Sequence, residues 1–161
     1  MDADVIMAAS ANVYAATHEA WGMTGAVICL GLSAMGSIVG LGTVALAAIG
    51  AWKKCYLQNK QAPFLLLALV GVPTTQTLYG MIVMFAMIPK AAIGVPLMVI
   101  GAFTGTAIGL SAVLQGRAAA AAADSQAETG QGFTNYLIAL GIIETIAIFA
   151  MMFSLIVIGR M

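Results

Sequence analysis

One carboxylate lies in the middle of an apolar segment near the end of this chain. Glu144 has 15 uncharged residues on either side, between residues 129 and 159. A stretch of this length can form a helix that crosses the lipid bilayer. An ionised carboxylate at mid-bilayer costs about 2.5 to 3.5 kcal/mol on insertion scales, so such a group is usually paired, protonated or bound to a cation. Glu144 is therefore the first candidate for a functional residue.

Polar residues at similar depth in other apolar segments indicate what Glu144 could bind. Thr75, Gln76 and Tyr79 are spaced so that Thr75 and Tyr79 share one helical face. Gln115 lies in a further segment, and Pro73 can turn nearby carbonyl groups toward a cavity. Carboxylate, amide, hydroxyl and carbonyl oxygens form a donor set for a small hard cation, which favours Na⁺ over H⁺. In the alternative interpretation, the uncharged polar residues only form hydrogen bonds between helices.

The composition excludes most other classes of protein. The chain has 161 residues, of which 62% are hydrophobic and 7% charged, whereas a soluble domain has roughly 25% charged residues. Six basic residues balanced by six acidic ones provide no positive field for nucleic acid, so no nucleic-acid partner is expected. Further charge-free stretches cover residues 20–52, 61–89 and 91–116. Together with the segment around Glu144, they predict an all-α membrane protein with four transmembrane helices.

The positions of the charges predict a topology. Four Lys and Arg residues fall in two expected loops, 53–60 and 117–131, and two fall elsewhere. By the positive-inside rule, these loops face the cytoplasm and both termini lie outside. The predicted organisation is an outside N-terminal segment (1–19), a first helical hairpin (20–89) and a second (90–161).

The two hairpins are predicted to be duplicates of one another. Residues 76–88 align with 144–156, which places Gln76 opposite Glu144, and residues 36–44 align with 105–113. The first helix of each hairpin contains glycines spaced four apart, a pattern that lets helices approach closely in lipid. The second helices contain large apolar side chains instead. We therefore expect inner, tightly packed helices and outer, lipid-facing ones. A ring of protomers would use this division naturally, although a compact four-helix bundle would also tolerate it.

With these features the chain resembles the membrane rotor subunits (proteolipid, K or c) of V-type and archaeal A-type ATPases. The resemblance extends from about Trp21 onward and rests on three segments: VPTTQTLYG (72–80), LQGRAAAA (114–121) and IIETIAI (142–148). They are most similar to those of sodium-translocating bacterial members. Departures are Thr74, where a Gly would be less crowded, and a longer N-terminal stretch.

The resemblance implies a role for each residue of the site. Glu144 would be the charge-compensating ligand, and Tyr79 would hold its carboxylate by a hydrogen bond. The remaining ligands of Na⁺, or of H⁺ in the alternative, would be the side chains of Thr75, Gln76 and Gln115 and the backbone carbonyl of Val72.

The resemblance also implies a function and a set of partners. The chain would be a non-catalytic subunit without a cofactor, forming a ring of identical copies in lipid in the plasma membrane of a bacterium or archaeon. A stator membrane subunit with a basic residue and cytoplasmic central-stalk subunits would be its partners, and other subunits would perform the ATP chemistry.

Two other functions compete with the rotor subunit. One is a small four-helix proton-coupled exchanger, which should have aromatic residues around its carboxylate to bind an organic cation, yet residues 142–147 contain none. The other is a purely structural subunit, which leaves Glu144 unexplained.

Overall fold

All the regular structure in the described part of the chain is helical. The computed structural model describes residues 2–161. Its α-helices are α1 (Ala3–Leu57), α2 (Leu66–Gly71), α3 (Thr75–Met87), α4 (Val95–Thr129) and α5 (Phe133–Arg160). The pair α2 and α3, with two short 3₁₀ turns, forms one span over Leu66–Ile93, and α1, α4 and α5 form the other three long apolar helices. The predicted all-α fold with four membrane helices is confirmed.

Glycine and proline separate the second, third and fourth spans. Gly94 has φ of 79° before α4, and Pro96 lies in the first turn of that helix, where its missing N–H costs nothing. Gly130 ends α4 with φ of 67°, and Gly132 precedes α5 with φ of 86°. These left-handed conformations suit glycine, which has no Cβ.

The two expected cytoplasmic loops differ from the prediction: the first is displaced to residues 58–65, and the second is shortened to residues 130–132. Helix α1 continues to Leu57 and α4 to Thr129, so most of 53–60 and 117–131 is helical. The run of alanines at 118–123 favours helix, and Lys54 on α1 bridges to Asp124 and Glu128 on α4 at 3.1 and 3.3 Å. Of the charges that suggested loops, only Lys60 lies in a loop, and the others lie on α1 and α4.

The N-terminal segment continues the first membrane helix. Helix α1 starts at Ala3 and has no break near residue 19; residue 1 of the predicted segment lies outside the described residues. The side chains of Val5, Ile6, Val13 and Tyr14 are exposed along this extension.

Helices α1 and α4 pack in parallel with their backbones almost touching. A Cβ atom added to any of the facing glycines would collide with the opposite backbone. The facing pairs, in order, are Gly25 with Gly101, Cys29 with Gly105, Gly36 with Gly109, and Gly40 with Gly116. Because both numbers rise together, the two hairpins stand side by side in the same orientation, as parallel repeats do.

Large apolar side chains are exposed on α5, and one buried apolar cluster lies on each side of Glu144 along this helix. On α5, Ile142, Phe149 and Phe153 are exposed, as predicted for lipid-facing helices. One buried cluster contains Leu69 and Leu140, and a second contains Val83, Met87 and Ile158. Glu144 lies between these clusters along α5.

Candidate ion-binding site

The carboxylate of Glu144 is held by two hydroxyl groups from the neighbouring span. Thr75 Oγ1 donates to Glu144 Oε1 at 2.6 Å, and Tyr79 OH donates to the same oxygen at 2.8 Å. The only ion pairs between side chains of residues 2–161 are those of Lys54. Glu144 therefore has two hydroxyl donors, and no basic side chain among residues 2–161 forms an ion pair with it.

Three oxygen atoms lie around the hydroxyl of Thr75. Besides Glu144 Oε1, Thr75 Oγ1 lies 3.2 Å from the carbonyl oxygen of Val72 and 3.2 Å from Gln76 Oε1. A threonine hydroxyl has one hydrogen to donate, and its bond to Glu144 is the shortest. The cluster thus has more acceptor lone pairs than Thr75 can satisfy, which is the arrangement a hard cation requires.

Pro73 lies in an irregular stretch of the second span beside these oxygens. Helix α2 ends at Gly71, a 3₁₀ turn spans Val72–Thr74 and α3 begins at Thr75. Proline cannot donate the backbone hydrogen bond that a continuous helix needs there. As predicted from the sequence, the irregular turn lies beside the polar residues. Thr75 Oγ1 lies 3.2 Å from the Val72 carbonyl oxygen, the same i−3 contact that Thr145 makes to Ile142 within α5.

Two fully buried glutamines close the inner side of the cluster. Gln76 Nε2 donates to Gln115 Oε1 at 2.6 Å. Gln115 Nε2 donates to the carbonyl of Leu140 at 3.0 Å and points at Glu144 Oε2 at 3.4 Å. In this structure Gln115 therefore turns its amide nitrogen, rather than the expected oxygen, toward the carboxylate. Acting as an oxygen ligand would require rotation of its amide group.

The structure brings all six predicted residues to one place. Val72, Thr75, Gln76 and Tyr79 come from the second span, Gln115 from α4 and Glu144 from α5. Sequence reasoning missed the carbonyl groups of Leu140 and Ile143, which accept hydrogen bonds from Gln115 and Ser111. Backbone acceptors have no sequence signal, although both carbonyls belong to the helical turn that precedes Glu144.

Comparison with known families supports the resemblance. Residues 98–157 match the family model for the C subunit of ATP synthase. This segment covers most of the second hairpin and contains both Gln115 and Glu144. The match confirms the resemblance to the rotor proteolipids at the level of this family, whose members are non-catalytic membrane subunits. The comparison with curated proteins gives no match.

Proposed function

We propose that this multi-pass membrane protein, whose second hairpin matches the proteolipid family of ATP synthases, is the ion-carrying rotor subunit of a V-type rotary ATPase or ATP synthase. The transported ion in this proposal is Na⁺. The observation that carries it is the cluster of Val72, Thr75, Gln76 and Glu144 oxygens around one hydroxyl hydrogen.

The chemistry of the cluster favours Na⁺ over H⁺. A proton needs only the carboxyl group and one acceptor. Here Glu144 Oε1 already receives two hydroxyl donors, while Val72 and Gln76 offer further oxygens at 3.2 Å from Thr75 Oγ1. A carbonyl oxygen and an amide oxygen beside a carboxylate are suited to a hard metal cation. Tyr79 donates to the carboxylate in either case and would keep it oriented toward the cation.

Neutralisation of Glu144 is the step that couples ion binding to rotation. Each copy would take up Na⁺ from one side of the membrane at a stator subunit. With its charge cancelled, Glu144 can pass through lipid at a much smaller energetic cost. A basic residue of the stator would then displace the ion toward the other side. Moving one charge across 100 mV is worth about 2.3 kcal/mol, so several ions must pass for each ATP made or hydrolysed by other subunits.

The partners in this proposal follow from the same mechanism. Identical copies form a ring in the plasma membrane of a bacterium or archaeon, with both termini outside. The paired charges of Lys54, Asp124 and Glu128 then lie at the cytoplasmic end, where central-stalk subunits would attach. The glycine-lined contact of α1 with α4 supports an inner wall of tightly packed helices.

Labelling with dicyclohexylcarbodiimide tests the proposed ion. This reagent modifies carboxyl groups in apolar surroundings, so we expect Glu144 to be labelled in the assembled protein and Glu144→Gln to remain unlabelled. Millimolar Na⁺ at neutral pH should slow the labelling, whereas K⁺ at equal ionic strength should not. Labelling that responds to pH but not to Na⁺ would replace Na⁺ with H⁺. Protection by an organic cation instead would favour the exchanger.

A further inference from the structure

One buried hydroxyl group close to the ion site has no hydrogen-bond partner among residues 2–161. Ser37 on α1 is 5% exposed, and its Oγ is unpartnered. The other buried Ser and Thr hydroxyls all have hydrogen-bond partners. Ser33 donates to Cys29 O at 2.8 Å, Ser111 donates to Ile143 O at 3.1 Å, and Thr104 pairs with Ser154 at 2.6 Å. Buried polar groups in native proteins nearly always have a partner, frequently an ordered water.

The packing of α1 against the second span places Ser37 at the level of Gln76. Ser33 lies against Gly80, and Gly40 lies against Pro73, where an added Cβ would be 3.1 Å from the proline Cβ. Residue numbers increase along α1 while those of the contacting residues in the second span decrease, as expected for antiparallel helices. Ser37 is one turn beyond Ser33 on the same face, so its counterpart in the second span is Gln76.

Gln76 has a donor to spare at this level. Its side-chain nitrogen carries two hydrogens, and the structure gives them one acceptor, Gln115 Oε1 at 2.6 Å. Its oxygen lies near Thr75 Oγ1, on the side of the cation cluster. The second N–H of Gln76 and the hydroxyl of Ser37 are therefore buried at the same level, and neither has a hydrogen-bond partner among residues 2–161.

We propose that a buried water molecule binds between Ser37 Oγ and the side-chain amide of Gln76, and that Ser37 is a positioning residue of the ion site. The water accepts a hydrogen bond from the second N–H of Gln76 and forms another hydrogen bond with Ser37 Oγ. It thereby holds the amide with its oxygen toward Thr75 and Glu144. This inference rests on the proposed function, since an amide rotated the other way would present N–H groups to the cation.

The test compares two serines on the same helix. Ser37→Ala removes the hydroxyl with almost no change in volume, and Ser33→Ala is the matched control because its hydroxyl bonds only within its own helix. In assembled protein, the Na⁺ concentration that halves the labelling of Glu144 should rise about three- to tenfold for Ser37→Ala, the size expected from one net hydrogen bond. It should not change for Ser33→Ala, and the labelling rate without Na⁺ should stay the same in both.

The outcomes separate this inference from the proposed function. If the wild-type protein is not protected by Na⁺, the proposed ion is wrong. If the wild type is protected and Ser37→Ala matches it, or both serine variants lose protection equally, the positioning role of Ser37 is wrong. A structure of the purified ring that resolves ordered water decides the matter in either ion form. We expect density within hydrogen-bond distance of Ser37 Oγ and Gln76, and continuous apolar packing there would overturn the proposal.

Discussion

Glu144 accepts its two shortest hydrogen bonds on a single oxygen atom. Thr75 and Tyr79 both donate to Oε1, while Oε2 has only the longer contact with Gln115 Nε2. These two donors orient the carboxylate, with Oε1 on the side of the Val72 and Gln76 oxygens.

Replacement of Tyr79 by Phe tests whether the tyrosine hydroxyl orients the Glu144 carboxylate. Tyr79→Phe keeps the ring and removes the hydroxyl that donates to Glu144 at 2.8 Å. A hydrogen bond to a charged group is worth about 1.5 kcal/mol or more, so the Na⁺ concentration that halves labelling of Glu144 should rise about tenfold. The exposed Tyr56 provides the control, and the Na⁺ concentration that halves labelling should be the same in Tyr56→Phe as in the wild type. Equal affinity in Tyr79→Phe would show that the hydroxyl does not orient the carboxylate.

At the scale of residues, the sequence was informative about side chains and silent about their orientation. The similar depth of Glu144, Thr75 and Gln76 predicted a cluster of oxygen donors, whereas the hydrogen bond from Tyr79 to Glu144 was implied only by the family resemblance. The direction of the Gln115 amide was not predictable, because it depends on the carbonyl of Leu140 and on Gln76. Ser37 was also missed, since its unpartnered state depends on how three helices pack.

At the scale of elements, the contact between α1 and α4 depends on glycine. A Cβ added to Gly36 would collide with the backbone of Gly109, whereas one added to Gly42 would meet nothing within 4 Å. Both residues are on α1, two turns or less apart, and on different faces. Replacing each of these two glycines by alanine therefore separates the effect of helix packing on stability from the effect of helix propensity.

Alanine at the two glycines should have opposite effects on stability. Gly36→Ala should lower the melting temperature of the purified protein, because overpacking costs about 1 to 3 kcal/mol. Gly42→Ala should leave it equal or raise it, since alanine favours helix by up to about 1 kcal/mol over glycine. Thermal unfolding in detergent, followed by circular dichroism, measures both. Equal melting temperatures would mean that α1 and α4 do not pack as closely as described.

The number and type of the membrane helices could be predicted from the sequence, but the lengths of two of them could not. Charge-free stretches fix where lipid can surround a helix, and they say little about where the helix ends in water. Lys54, Asp124 and Glu128 suggested loops, yet they bridge two helices. The glycines of α4 and α1 correctly predicted a close contact, while its partners emerged only from the packing.

At the scale of the whole molecule, the proposed function requires many copies. The two hairpins already stand parallel and side by side within one chain, with α1 and α4 in contact. Repetition of that arrangement around an axis along the membrane normal would form a closed ring. We expect projection images of the purified protein to show such rings. A particle of only two copies would contradict the rotor function and favour the exchanger.

In the proposed function, Glu144 carries the transported cation through the membrane. The most direct measurement is ATP-driven uptake of radioactive Na⁺ by vesicles that contain the complete ATPase, with Glu144→Gln compared against Glu128→Gln, an exposed carboxylate paired with Lys54. Uptake should fall to background in Glu144→Gln, because a neutral amide cannot exchange its charge state, and should be preserved in Glu128→Gln. Undiminished uptake in Glu144→Gln, in assembled and labelling-resistant rings, would contradict the account.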